Sequence, residues 1–430
     1  MPSQSTPSLK WLHDLAARVI DSAQVDPGDR VSGTVNTTGF ALHLPGSTTS
    51  HYRAFWVRDA AMMLGADFLS AEEVEGWVRL IASTQAGPEG LRFPRELFVP
   101  PYSIPDHITL EGAACWYPGA NAEQGEGTFG FLPPADDAFY FIQMVREHAR
   151  LTGQPSLFLA PVQTSWGQPP LWEVCARAFD AVAVNAEGLV VCSGEKGQTR
   201  VDWGFCDTVR KVGACLMPSL LRWQAARDLE ALFLAIGEGP RAQVYGQEAA
   251  RLQAAIPHVF YQALPAESGA EVGRLLSATE RGRKADVWAT AYALWLGILP
   301  RPQELAVARH LLALYQAGGT IVEGQVRHLP PEGDGGGYWE ECVSAPETYQ
   351  NGGYWGTPTG WYIAALERVD PASARKLLEE FVAHLRQHDG QGAPWEWIHP
   401  ARGQFVNPLY AASVGLPYIA LAARSKTPAH

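Results

Sequence analysis

Apolar residues recur with a spacing near 3.6 along most of this chain, a pattern that predicts amphipathic helices. In the segment 371–388, for example, Leu377, Phe381 and Leu385 form one apolar stripe, and Asp370 is placed to cap the first turn. Strands and helices do not alternate, so a doubly wound sheet or a TIM barrel is disfavoured. Twelve segments show the helical pattern: 8–25, 56–69, 71–85, 136–152, 170–184, 214–237, 244–263, 284–298, 302–317, 358–369, 371–388 and 408–423.

Twelve helices make six hairpins. A length of 430 residues favours two or three domains of about 100–200 residues each, yet no low-complexity linker divides the chain. A single closed ring of hairpins accounts for both the length and the lack of a linker. We therefore predict an all-α fold, an (α/α)6 toroid of six helical hairpins that forms a single domain over residues 1–430. An open α-solenoid is the alternative, but its loops should be short and its repeats similar.

Long loops rich in glycine and aromatic residues separate several of the helices. Loops of more than about 15 residues inside a compact domain usually carry function, so we expect the site in these loops. Two strand-like runs, Leu189–Cys192 and Thr320–Leu329, predict short β-strands within them. The longest loops are 26–55, 87–135, 185–213 and 318–357.

Charge and targeting signals exclude several classes of partner. The net charge is −12 and basic residues form no run, which argues against nucleic-acid or anionic-membrane binding. No apolar stretch of about 18 residues predicts a membrane span, and the polar start is unlike a signal peptide. The 6 cysteines lack zinc-ligand spacing. We expect a cytoplasmic protein with reduced thiols, and the sequence leaves monomer or homo-oligomer open.

The chain contains 15 tryptophans beside many carboxylates. Aromatic rings stack on the apolar faces of sugars, and carboxylates accept hydrogen bonds from their hydroxyls. This composition is compatible with a small carbohydrate as the binding partner. Composition alone favours a large core with crowded loops, so local motifs have to decide.

Two motifs combine acidic residues with tryptophan. The run HYRAFWVRD, residues 51–59, opens a helix with Arg58 and Asp59, either as ligands for sugar hydroxyls or as a structural ion pair. The run RVDWGFCDTVR, residues 200–210, places Asp202 and Asp207 around Trp203. A carboxyl beside an indole acquires the raised pKa that a general acid needs. Capping of the following helix is the alternative role for Asp207.

Two further motifs lie nearer the C-terminus. The turn at Asn351 presents a cluster of rings and amides in EECVSAPETYQNGGYW, residues 340–355. In APWEWIHPARGQF, residues 393–405, Glu396 stands between Trp395 and Trp397. Burying such a glutamate is costly unless it acts in chemistry or pairs with a cation such as Arg402.

A weaker group of charged residues spans 94–137, and its last two members are best explained as charges at a helix N-terminus. Motifs for a serine nucleophile, a P-loop or a metal site are missing, so we expect no metal and no cofactor. The members of the group are Arg95, Glu96, Asp106, His107, Glu123, Glu126, Asp136 and Asp137.

The order of these motifs resembles the inverting glycosidases of the (α/α)6 barrel, which include trehalase, processing α-glucosidase, mannosylglycerate hydrolase, neutral invertase and amylo-α-1,6-glucosidase. Their Tyr-x-x-x-Trp-x-Arg-Asp motif matches Tyr52, Trp56, Arg58 and Asp59. Their Tyr-His-Asn-Gly-Gly/Ser-x-Trp motif is similar to residues 349–355, with Gln350 in place of histidine.

The resemblance extends to the catalytic pair. The loop around Glu396 is similar to the one that carries the general base in those enzymes. Asp202, with Arg210 and Gly213 after it, looks like their general acid. The Gly-Trp-Asp-x-Ser form of the acid loop is absent, so Asp207 is the alternative. Asp202 is favoured because a hydrophobic residue before the aspartate resembles neutral invertase and the debranching enzyme.

The resemblance implies hydrolysis of a small or terminal, α-linked glycoside with inversion. Asp202 or Asp207 would protonate the leaving oxygen and Glu396 would activate water, with the carboxyls about 6.5–9.5 Å apart. Candidate substrates are α-linked disaccharides, glycosylated osmolytes, and α-glucosides or α-rhamnosides of small aglycones. Another sugar reaction (epimerase, phosphorylase or lyase) and a non-catalytic carbohydrate-binding toroid are the alternatives. The expected substrate-binding residues are Tyr52, Trp56, Arg58, Asp59, Trp203, Tyr349, Gln350, Asn351, Trp355, Trp395 and Trp397.

Overall fold

The computed structural model describes residues 7–49, 52–94, 97–117, 130–195, 197–265, 271–333 and 335–425. Each of the twelve predicted helical segments contains a helix, and one short helix was not predicted. The described residues form α1 (Pro7–Ser22), α2 (Val57–Ala61), α3 (Ala71–Thr84), α4 (Asp137–Thr152), α5 (Ser156–Leu159), α6 (Leu171–Asp180), α7 (Leu216–Ala235), α8 (Gly239–Phe260), α9 (Val287–Leu296), α10 (Arg301–Ala317), α11 (Thr359–Leu366), α12 (Pro371–Gln387) and α13 (Ala412–Ser425).

The helices form two concentric rings, which confirms the (α/α)6 toroid. In the inner ring, α2, α4, α7, α9, α11 and α13 each pack on the next. Helices α1, α3, α6, α8, α10 and α12 pack around them from outside. The ring closes where Gly65, after α2, lies against Ile419 of α13, since a Cβ on Gly65 would be 3.0 Å from that side chain.

The pattern of burial accounts for the division of the helices into an inner and an outer ring. All eight residues of α11 are buried, as an inner helix requires. The outer helix α12 buries only one stripe, which includes Leu377, Phe381 and Leu385. The side chain of Asp370 accepts hydrogen bonds from the N–H groups of Ala372 and Ser373, so the predicted cap is confirmed.

Helix α2 is much shorter than the segment 56–69 predicted. Gly65, Ala66 and Asp67 all have positive φ, at 102°, 53° and 60°. A left-handed backbone cannot continue an α-helix. The chain therefore turns here and leaves Arg58 and Asp59 in a single helical turn at the rim of the ring.

Short antiparallel strands fill the long loops, as the two strand-like runs predicted. The strands are β1 (Gln24–Val25), β2 (Arg30–Val31), β3 (Thr34–Val35), β4 (Leu42–His43), β5 (Ala54–Trp56), β6 (Leu91–Arg92), β7 (Phe98–Val99), β8 (His107–Thr109), β9 (Ala114–Cys115), β10 (Val191–Cys192), β11 (Gly213–Ala214), β12 (Tyr261–Leu264), β13 (Val272–Leu275), β14 (Ile321–Val322), β15 (Gln325–Arg327), β16 (Tyr354–Trp355), β17 (Trp395–His399) and β18 (Gln404–Pro408).

Two small sheets hold Glu396 and four of the predicted binding residues, Trp56, Trp355, Trp395 and Trp397. One has the order β5-β8-β9, and the other has the order β14-β15-β16-β17-β18. Residues 393–405 were expected to be a loop, but β17 and β18 form a hairpin there, with Trp397 opposite Val406. Among the described residues, no helix combines the length and the apolar character that a membrane crossing needs.

Candidate active site

Glu396 lies on β17 and is 2% exposed. Tyr52 donates a hydrogen bond of 2.7 Å to its Oε1, and Asn407, across the hairpin on β18, donates one to its Oε2. Burial raises the pKa of Glu396 to about 7 although both hydrogen bonds oppose the shift. The negative charges of Asp59 and Asp207 add to the increase, so three carboxyls share one electrostatic environment.

Asp59 lies in the first turn of α2, directly after β5. Tyr410 donates a hydrogen bond to its Oδ1, and the ring of Tyr410 is 5.9 Å from that of Tyr52. Burial raises the pKa of Asp59 to about 6, against the opposing effects of Tyr410 and Arg58. Two neighbouring tyrosines therefore hold two carboxylates side by side.

Asp207 follows the 3₁₀ turn Gly204–Cys206 and stays partly exposed. Gln350 donates a hydrogen bond of 2.8 Å to its Oδ1, and the amide oxygen of Gln350 accepts one of 3.0 Å from the N–H of Thr208. Burial raises the pKa of Asp207 to about 7. The residue lines a cavity of about 120 Å³ together with Arg210.

Asp202 lies only five positions earlier but has different surroundings. It is 0% exposed, and its Oδ2 is 3.0 Å from the ammonium of Lys211. Asp286 lies 4.0 Å from the same ammonium and pairs with His328 at 3.1 Å. Asp202 thus belongs to a buried ionic cluster with Lys211, Asp286 and His328.

Arg58 is buried and binds three carboxylates rather than Asp59 alone. Its guanidinium contacts Asp106, Asp136 and Asp137, the last two at 3.1 Å. Asp136 also accepts a hydrogen bond of 3.0 Å from the N–H of Gly204. The pKa of Arg58 is well above its usual range, because these carboxylates outweigh the effect of burial.

Gly204 makes this arrangement possible. A Cβ at that position would be 1.8 Å from the guanidinium carbon of Arg58. Arg58 binds Asp136, and Asp136 in turn accepts the hydrogen bond from Gly204. Arg58 therefore helps to hold the 3₁₀ turn that precedes Asp207. Asp136 is the N-cap residue of α4, so it lies at a helix N-terminus as the sequence predicted, but its side chain makes no cap hydrogen bond and binds Arg58 instead.

The aromatic residues form two layers. Tyr52, Trp56 and Tyr349 are partly exposed, and the indole of Trp56 stacks at 4.3 Å on His107, which pairs with Asp106. Burial and the negative charges of Asp207 and Glu396 raise the pKa of Tyr349, so its phenol lies near both carboxylates.

The second layer lies beneath these rings. Trp355 is 0% exposed and packs on Tyr349 at 5.1 Å. Trp203 is also fully buried, and its indole N–H donates to Tyr140 at 2.8 Å. Trp397 is 6.4 Å from Tyr349. Trp355 and Trp397 support the ring of Tyr349, whereas Trp203 packs on Phe205 and Trp288.

Two expected binding residues have structural contacts instead. Trp395 packs on His388 at 5.4 Å and on Phe405 at 4.8 Å, so it faces α12 and not the carboxylates. The side chain of Asn351 joins Ser344 and the N–H of Trp339 and thereby fixes its own loop. Both side chains are therefore engaged in structural contacts.

Three residues near the carboxylates have a left-handed backbone. Tyr349, Asn407 and Leu409 have φ values of 48°, 51° and 56°. Non-glycine residues rarely adopt this left-handed region, and such residues cluster at functional sites. The described residues include no group of histidine, cysteine and carboxylate side chains that could hold a metal ion. Carboxyls of raised pKa such as these can donate or accept a proton near neutral pH.

Neither a protein-family model nor a curated protein sequence matches this chain. Solved structures are similar over nearly its whole length. A rhamnosidase from Klebsiella oxytoca with rhamnose bound gives a TM-score of 0.57 at 12% identity over 98% of this chain. This chain spans 65% of the length of that rhamnosidase.

Two further structures are similar over their full length. A GH63 mannosylglycerate hydrolase from Thermus thermophilus in complex with glucose gives a TM-score of 0.53 at 14% identity, covering 95% of this chain and 99% of the other. A wild-type glycosidase gives 0.54 at 15% identity and covers 98% of each chain. The chain has the fold of the six-hairpin glycosidases.

In this six-hairpin glycosidase fold, the sequence motifs found most of the residues around Glu396 but missed Tyr410 and Asn407. Both lie in the run NPLY, residues 407–410, just before α13. A hairpin that turns at residues 400–403 places Asn407 opposite Glu396, so strand pairing was the available signal. Of the weaker group, Arg95, Glu96, Glu123 and Glu126 lie outside the described residues, as does His51 of the first motif.

Proposed function

We propose that this protein is a glycoside hydrolase that inverts the anomeric centre of a small or terminal, α-linked glycoside. The supporting observation is the pair Asp207, after a 3₁₀ turn, and Glu396, on β17, whose pKa values are both raised to about 7. Paired carboxyls of this kind are the general acid and base of glycoside hydrolysis. The negative charges of both carboxyls raise the pKa of Tyr349, so we include its phenol in the proposed site.

Asp207 is the proposed general acid. It is partly exposed, its raised pKa of about 7 leaves a large fraction of it protonated near neutral pH, and its side-chain partner Gln350 is neutral. Asp202, which the sequence favours, is fully buried against the ammonium of Lys211. Burial raises the pKa of Asp202 as well, but Lys211 opposes that shift, because an adjacent cation stabilises the ionised form of a carboxyl and so makes it a poorer proton donor. These contacts favour Asp207.

Glu396 is the proposed general base. Tyr52 and Asn407 both donate hydrogen bonds to its carboxylate, and donors of this kind favour the ionised form that a base needs. The leaving oxygen takes the proton of Asp207, and Glu396 takes a proton from the attacking water. Because the water needs room between them, inversion requires carboxyls about 6.5–9.5 Å apart.

Asp59 and the exposed rings are the proposed sugar-binding groups. Asp59 accepts hydrogen bonds from hydroxyls, while Tyr52, Trp56 and Tyr349 offer ring faces to a pyranose. Arg58 is bound to three aspartates, so its proposed role is to position the acid loop. The rhamnose and glucose named in the similar structures are neutral sugars, which supports a neutral sugar in this site.

The test is a panel of aryl α- and β-glycosides and natural disaccharides, with NMR of the anomer that forms first. We expect hydrolysis of an α-glycoside with the β-anomer as the first product. A first product that retains the configuration would contradict inversion. Turnover that requires phosphate would indicate a phosphorylase, and binding without turnover would indicate a carbohydrate-binding toroid.

A further inference from the structure

A second cavity, of about 480 Å³, lies beside β10 and β11 and outside the proposed site. Leu132, Val191 and Val212 provide apolar walls, and Gln198 and Arg200 provide polar groups. Only Arg200 also lines the cavity that contains Asp207. This volume lies within the usual range for small-molecule sites, about 300–1,000 Å³.

Arg200 is an unusual residue to find in such a wall. It is 6% exposed, yet within the described ranges no carboxylate forms an ion pair with its guanidinium. Three other buried arginines differ, since Arg58 binds three aspartates, Arg222 binds Glu248 at 3.0 Å and Arg327 lies 3.4 Å from Glu347. Burial lowers the pKa of Arg200, as expected for a cation without a nearby counter-charge.

A buried charge is costly unless something pairs with it. A smaller cavity of about 20 Å³ also borders Arg200 and includes Asp137, whose Oδ2 has no hydrogen-bond partner. One water there would bridge the two residues. Asp137 is already paired with Arg58, however. The larger cavity is lined by other residues and does not include Asp137.

The chemistry of the larger cavity limits its occupant. The planar donors of a guanidinium match a carboxylate or a phosphate. Glu195 and Glu280 are exposed lining residues that accept hydrogen bonds from hydroxyls. A ligand that pairs with Arg200 and also with the two glutamates carries one anionic group and several hydroxyls.

We propose that this cavity binds a hydroxylated small anion, a sugar acid or a sugar phosphate, with its anionic group on Arg200. The proposal does not depend on the glycosidase proposal, because its first measurement is binding. The anion has two conceivable sources: it belongs to the glycoside substrate, or it is a separate small molecule.

Isothermal titration of the full-length protein with glucuronate, glucose 6-phosphate and inorganic phosphate tests the site, with neutral glucose for comparison. Losing a charged hydrogen-bond pair weakens binding by about 10- to 100-fold. We expect that loss in Arg200→Met and a smaller one in Arg200→Lys, which keeps the charge but not the planar donors. The matched control is Arg281→Met, an exposed arginine bonded to Glu341, which should bind like the wild type.

Thermal unfolding without ligand separates this role from a structural one. Removing an unpaired buried charge should leave the Tm of Arg200→Met unchanged or raise it. A Tm several degrees lower would identify Arg200 as a structural residue and overturn the proposal. Equal binding by Arg200→Met and the wild type, or no binding of any of the three anions at millimolar concentration, would do the same.

Kinetics then identify the source of the anion. Competitive inhibition of aryl-glycoside hydrolysis by glucuronate or glucose 6-phosphate, lost in Arg200→Met, places the anion within the substrate. Binding that is lost in Arg200→Met and leaves KM unchanged identifies a separate ligand. Either result supports the site.

Discussion

Tyr52 donates a hydrogen bond of 2.7 Å to Glu396, a residue 344 positions later in the chain. The first residue precedes β5 and the second lies on β17, so the contact exists only because the ring of hairpins closes. Together with Asn407, the phenol fixes both oxygens of the proposed base. The five predictions below follow from this site.

Glu396→Gln should lower kcat by about 10²–10⁴-fold, the usual contribution of a general base. The amide preserves the shape of the side chain, so sugar binding and Tm should change little. Steady-state kinetics and sugar titration measure the two effects. Activity within a few fold of the wild type would show that Glu396 is not the base.

Asp207→Asn should lose most activity on glycosides with poor leaving groups and little on dinitrophenyl glycosides, because a good leaving group needs no proton. Asp202→Asn is the matched comparison. It disturbs the Lys211 pair and should lower Tm without this dependence on the leaving group. The reverse pattern would assign the acid to Asp202.

Tyr52→Phe should move the acidic limb of the kcat/KM profile to higher pH. The hydrogen bond from Tyr52 lowers the pKa of Glu396, which is about 7 in its presence. Without the donor this pKa rises, and because a base works only when ionised, activity appears at higher pH. A limb at the wild-type position would contradict the assignment of Glu396 as the titrating base.

Gln350→Glu should move the alkaline limb to higher pH. The amide of Gln350 lowers the pKa of Asp207, whereas a carboxyl in its place raises that pKa by repulsion between like charges. The acid then stays protonated to a higher pH. A fall in kcat with an unchanged profile would show instead that Gln350 acts only by holding Thr208.

Gly204→Ala should reduce the free energy of unfolding by about 1–3 kcal/mol or more, because the new Cβ overlaps the guanidinium of Arg58. It should also lower kcat, since the turn before Asp207 moves. Gly239→Ala is the control, as a Cβ there has no atom within 4 Å. Equal unfolding curves for the two variants would refute the tight contact.

The helices could be predicted from sequence because helix formation depends on a short-range pattern. The stripe of α12 and its Asp370 cap were correct, and the pairing of twelve helices indicated the toroid. The motif resemblance also located Glu396 and its neighbours. The local pattern and the backbone conformation disagreed after Ala61. The helix ends there, and the left-handed residues 65–67 prevent it from continuing through the predicted segment.

The site itself depended on contacts between distant parts of the chain. Local sequence treats Asp202 and Asp207 alike, yet Lys211 holds one and Gln350 holds the other. The pattern around Glu396 treats both flanking tryptophans alike, although Trp395 packs against α12. The sequence by itself determined the helices, their order and the motif residues, since these depend on neighbours within a few turns. Tertiary structure decided which carboxyl meets a cation and which meets an amide, because closure of the ring sets those distances.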